Sequence, residues 1–276
     1  MAFGMSSNPV LSDGRFQPAP EDRAGWAAPT GAGSPVDAPP GAPRTMTVGG
    51  TIGATAVLWV LLLAAGAWAY SMVDVTTFVS PVTGESVSNV DYPGWLPLLG
   101  LPGLLLGFAI AFVPKLARWL SPIYALCYGV LLGWISGIYE AQFEGIVLQA
   151  VGATLAVFGV MLFLYGTRII KVTKRFAMVV IGATFGIALM YLVAWVATLF
   201  GADLFFWDEP SPLGIAVSVG IAIVAALNLA LDFAFIENAS QQRFPKYMEW
   251  YGAFGITVTI VWLYITILRI LSLLRQ

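Results

Sequence analysis

The chain has 276 residues, 59% of them hydrophobic and only 10% charged, with a mean hydropathy of +0.84 and a net charge of −2. Soluble domains carry roughly a quarter charged residues, so a soluble globular protein is excluded and an integral membrane protein is indicated. The lack of histidine and the single cysteine, Cys127, remove the commonest general base, metal ligand and neutral-pH switch and rule out an intrachain disulfide.

Residues 1–46 are rich in Pro, Ala, Gly and Ser, and Pro9, Pro18, Pro20, Pro29, Pro35, Pro39, Pro40 and Pro43 break any periodicity. Such a segment cannot bury enough apolar surface to offset its chain entropy. A disordered cytoplasmic tail is therefore expected over 1–46, followed by a transmembrane domain over 47–276. The first apolar run comes too late, and is too long, for a cleaved signal peptide.

A membrane-spanning helix needs about 20 apolar residues. Seven uncharged windows meet that need and predict helices at about 50–72, 94–113, 119–139, 146–167, 177–200, 212–236 and 250–274. The loop charges alternate. Arg44 precedes the first span; Asp74, Glu85 and Asp91 follow it; Lys115 and Arg118 come next, then Glu140 and Glu144. Arg168, Lys171, Lys174 and Arg175 follow the fourth span, Asp203, Asp208 and Glu209 the fifth, and Arg243 and Lys246 precede the seventh. By the positive-inside rule the N-terminus is cytoplasmic and the C-terminus outside. Trp95, Trp119, Trp207 and Trp250 fall at span ends, as an aromatic belt requires.

In the third span Gly129, Gly133 and Gly137 recur every four residues on one helix face. Small residues at that spacing let two helix backbones approach closely, so this face is assigned to helix packing. The sixth span carries Gly214, Ser218, Ile221, Ala225, Asn228 and Asp232 on one stripe, and the seventh answers with Gly252, Gly255, Thr259, Trp262, Thr266 and Arg269. Asp232 is the acidic residue embedded in apolar sequence on both sides, and an ionisable group inside a membrane is costly enough to be a functional candidate by default. If the sixth helix ends near Glu237, Asp232 lies about 7–8 Å from its cytoplasmic exit. Arg269 is then too far along the membrane normal to be its partner. At its depth stand Gly255, Thr257 and Thr259, with Lys115, Arg118, Arg168 and Lys171 at the rim. Asp232, Asn228, Thr257 and Thr259 are the candidate ion-pathway residues, with Asp232 the one candidate metal contact. The alternative is a helix-end carboxylate that reaches water or a rim base.

The segments SPIYALCYGVLLGWISGIYE (121–140), LYGTRIIK (164–171), LDFAFIE (231–237) and WLYITILRIL (262–271) together resemble the Bax inhibitor-1 family, also called TMBIM or YccA-like, in a bacterial branch. The resemblance covers most of residues 50–276. It implies an all-α membrane protein of seven transmembrane helices in which a central C-terminal helix is wrapped by the others. It also implies a pH-sensitive calcium leak governed by two aspartates, one in the sixth span and one in the seventh. Asp232 matches the first; the place of the second falls on Thr259, and Tyr128 stands where the third span often has glutamate.

An enzyme is not expected: the sequence has no HExxH, no second intramembrane aspartate, no phosphate loop and no serine lipase elbow. Nor is a cofactor, calcium being cargo. Two functions compete. One is cation passage past Asp232 in the plasma (inner) membrane. The other is a non-conducting interaction protein, a YccA-like modulator of a membrane protease or stress response, partnered by another membrane protein. A proton-coupled transporter is weaker, for want of an inverted repeat or a pair of broken helices. The lipid bilayer is a partner in any case, and nucleic acid is not.

Overall fold

The computed structural model describes residues 45–79, 86–201 and 210–276. Residues 1–44 of the tail expected over 1–46, Glu85, and the loop holding Asp203, Trp207, Asp208 and Glu209 lie outside the described residues. Thr45 and Met46, placed in that tail by composition, are instead part of the fold: Met46 is 2% exposed and its amide donates to Phe244 O at 2.7 Å.

Among the described residues there are seven α-helices: α1 Val48–Tyr70, α2 Gly100–Phe112, α3 Ala117–Gln142, α4 Ile146–Gly166, α5 Lys174–Leu199, α6 Pro212–Gln241 and α7 Met248–Arg275. Six are long and apolar enough to cross a membrane, and α2, preceded by a 3-10 turn at Pro97–Leu99, is shorter. Its 13 residues fall short of the full span expected over 94–113. Proline sets both limits. Pro97 opens the preceding turn, and Pro114 drives Val113 out of the helical region, to φ −128° and ψ 77°.

Glycine contacts show that α2 nevertheless carries the chain back across the bundle. A Cβ at Gly129 would meet Leu62 of α1, one at Gly133 would meet Gly66, and one at Gly137 would meet Val73. The numbers rise together, so α1 and α3 are parallel. Gly100 faces Leu131, Gly103 faces Tyr128 and Gly107 faces Tyr124, so α2 is antiparallel to α3 and makes the return. Tyr128 itself stacks on Tyr124, with ring centroids 4.5 Å apart.

The α1–α3 seam is where the backbones come closest. Helices in lipid gain no hydrophobic stabilisation from one another, and close van der Waals packing takes its place. At Gly133 a Cβ would fall on the Gly66 carbonyl oxygen and lie 2.8 Å from its carbonyl carbon. Only glycine fits that crossing. α7 is the centre of the bundle: 61% of its apolar window is buried, against 6% for α5, which packs mainly on the outside of α6. Around α7 are α1, α3, α4 and α6, the wrapping that the resemblance implies.

The acidic connection after α1 contains two strands that the sequence does not announce. β1 (Asp74–Val79) and β2 (Ser86–Asp91) form an antiparallel pair with Asp74 opposite Asp91. The alternating, partly β-branched runs DVTTFV and SVSNVD are too short to stand out beside 20-residue apolar windows.

Candidate functional site

Asp232 sits on α6, which begins at Pro212 with Ser211 accepting the Gly214 amide at 3.0 Å and continues to Gln241. The helix does not stop at Glu237, so the depth expected for Asp232 is corrected: it lies about 14 Å from the helix end, not 7–8 Å. Thr259 is about 16 Å into α7 from Met248, at matching depth. Its hydroxyl donates to Asp232 Oδ2 at 2.7 Å, and also approaches the carbonyl oxygen of Gly255 at 3.1 Å. A Cβ at Gly255 would lie 3.4 Å from Asp232 Oδ1, so the glycine leaves the carboxylate room against α7. Asp232 is half-buried. Neither ion pair among the described residues, Arg168–Glu237 or Lys246–Glu249, includes it. The rim bases Lys115, Arg118 and Lys171 make no salt bridge with it either.

The other two members of the expected set are elsewhere. Asn228 is one turn from Asp232 on the same side of α6, but its Nδ2 donates to Thr184 Oγ1 of α5 at 2.8 Å and to Val224 O at 2.9 Å. Thr257 is separated from Thr259 by two residues, a rotation of about 200° on an α-helix, so the two cannot share a face. Its hydroxyl donates to Ala253 O at 2.8 Å and it lines a cavity on the opposite side of α7. Arg269 bonds Tyr191 Oη of α5 at 3.2 Å. A seam of polar side chains thus runs where α5, α6 and α7 adjoin: Tyr191 with Arg269, Thr184 with Asn228, and Thr259 with Asp232.

Among the described residues no three of Asp, Glu, Cys or His come together to hold a metal ion. The oxygens on hand at Asp232 are its own carboxylate, the Thr259 hydroxyl and the Gly255 carbonyl. Calcium takes six to eight oxygen ligands, so these oxygens are too few to cage the ion.

Two further carboxylates organise the end of the bundle that carries the basic loops. Glu237 accepts from Tyr165 Oη of α4, from Arg168 at 2.7 Å and from Gln241 at 3.3 Å. Glu249, 4% exposed, accepts at Oε1 from the Thr47 amide and hydroxyl, each at 2.9 Å, and from Lys246 Nζ at 2.8 Å. Thr47 in turn caps α1 by accepting the Gly50 amide at 3.0 Å. With the Thr45–Pro245 bridge, these bonds strap the entry of α1 to the α6–α7 corner. Glu249 goes unnoticed in the sequence because its Thr47 partner is 202 positions away. The one local signal is Lys246 three residues earlier, a spacing that pairs side chains on a helix.

A family model described as Bax inhibitor 1 like matches residues 8–276 of the chain. No curated protein matches it.

Proposed function

Because the chain belongs to the Bax inhibitor 1 like family of multi-pass membrane proteins, we propose that it passes cations, calcium foremost, across the plasma (inner) membrane of its cell by way of Asp232. The observation that carries this reading is a half-buried carboxylate within a membrane-crossing helix that is tied to a neutral hydroxyl and not to a base. A charge held at that depth is expensive, and a purely structural carboxylate would be expected to pair with a base, as Glu237 and Glu249 do. Asp232 instead ends a seam of polar groups along the loosely packed α5, which supplies Thr184 and Tyr191.

One carboxylate, one hydroxyl and one carbonyl form a weak cation contact. Conduction needs such weakness, since an ion must leave as readily as it enters. Calcium flux into vesicles holding the purified protein tests the proposal directly. Flux above that of empty vesicles, lost in Asp232→Asn, supports it; no flux in the wild type sinks it.

A further inference from the structure

A cavity of about 300 Å³ lies on the side of α7 away from Asp232, walled by α1, α3, α4 and α7. It is at the lower end of the roughly 300–1,000 Å³ typical of ligand pockets. α1 and α4 meet at its base, where the Trp59 and Phe158 rings stand edge to face at 5.3 Å. Among the described residues the two helices share little packing beyond that contact. The mouth opens between Leu63 of α1 and Leu155 of α4, which are 61% and 51% exposed. It faces sideways, on the surface that the bilayer covers.

Three features define the occupant. The wall is apolar, and its buried hydroxyls are committed within the protein: Ser136 to Tyr264 at 2.7 Å, Thr154 to Ala150 O at 2.7 Å and Thr257 to Ala253 O at 2.8 Å. The indole nitrogen of Trp59 has no hydrogen-bond partner among the described residues but is buried beneath the wall, and the Tyr70 hydroxyl stands at the exposed end of the lining, so the interior offers little to a polar ligand or an ion. From Trp59 to Tyr70, both in the wall, α1 rises about 16 Å, close to half of a hydrocarbon core about 30 Å thick. We infer that the cavity is a binding site for one acyl chain of a bilayer lipid, entering sideways between α1 and α4 from the leaflet at the Tyr70 end.

The site recognises a chain, not a headgroup, and it stands whether or not Asp232 passes cations. Full-length protein in phosphatidylcholine vesicles, doped with a phosphatidylcholine whose acyl chain bears a diazirine, is irradiated and the labelled residues are mapped. By exposure alone Phe185 on the lipid face of α5, 72% exposed, should take more label than the half-buried Val151 in the cavity wall. The expected result is the reverse. Ala67→Trp, which fills the mouth from an exposed position, should cut the label at Val151 severalfold and leave Phe185 unchanged. Leu155→Trp, from the other lip, should do the same and serves if the first variant does not fold. Label at Val151 no higher than at Phe185, or undiminished in both variants, overturns the inference. A phosphatidylglycerol probe with the same chain should label equally; labelling by that probe alone overturns recognition of the chain.

Discussion

The Thr259 hydroxyl donates to Asp232 Oδ2 at 2.7 Å, and this bond between α7 and α6 joins the acidic residue to the central helix of the bundle. It defines what each partner is expected to do when changed.

Asp232→Asn is nearly isosteric and keeps an oxygen to accept from Thr259. The variant should insert and unfold like the wild type, while its calcium flux into vesicles falls to the background of empty vesicles. Unchanged flux in a folded variant would assign Asp232 a structural role.

Thr259→Asp puts a second carboxylate where the hydroxyl now stands. Adjacent carboxylates resist ionising together and hold a proton between them. The curve of flux against pH should therefore move to higher pH relative to the wild type. Superimposable curves would show that the two positions do not act on the same ion path.

Gly133→Ala drives a methyl group into the Gly66 backbone, where neither helix has a flexible side chain to move aside. Overpacking of this kind costs about 1–3 kcal/mol, and Tm in detergent should drop accordingly. Gly152→Ala on α4, where a Cβ meets nothing within 4 Å, is the control and should leave Tm unchanged or raise it.

Glu249→Ala leaves the Thr47 amide without its acceptor. Thr47 is itself exposed, so water can replace the lost acceptor and the cost should stay below the about 1–3 kcal/mol of a fully buried donor, but the strap between the start of α1 and the α6–α7 corner should loosen. Hydrogen exchange at residues 46–50 should accelerate while that of α3 stays the same. Equal protection in both proteins would assign the strap to the Thr45–Pro245 bridge and the Met46–Phe244 bond.

Orientation follows from the basic loops. With Cys127 replaced by Ser, a cysteine at position 86 should react with an impermeant thiol reagent added to intact cells, and one at position 173 should react only after the membrane is opened. The reverse pattern would invert the topology.

Six of the seven spans are legible because each is a run of apolar residues long enough to cross a bilayer, a property of composition that needs no partner; at α2 the same rule overruns the limits set by Pro97 and Pro114. The α3 glycines were legible too, since four-residue spacing alone puts Gly129, Gly133 and Gly137 on one face. Which helix that face meets was not: only the fold sets it against Leu62, Gly66 and Val73. The same limit divided the candidate site. From sequence, a shared stripe groups Asn228 with Asp232, and depth groups Thr257 and Thr259 with it. Rotation about the helix axis keeps Thr259 there and turns Thr257 to the far side of α7, while Asn228, on the same face as Asp232 but one turn away, bonds Thr184 of α5 instead. Glu249 shows the limit most fully, for its two kinds of partner are three and 202 residues away. A membrane sequence determines which segments cross, because the bilayer tests each segment separately. Which side chains meet between segments depends on the packing of all the helices at once, and only the tertiary structure decides it.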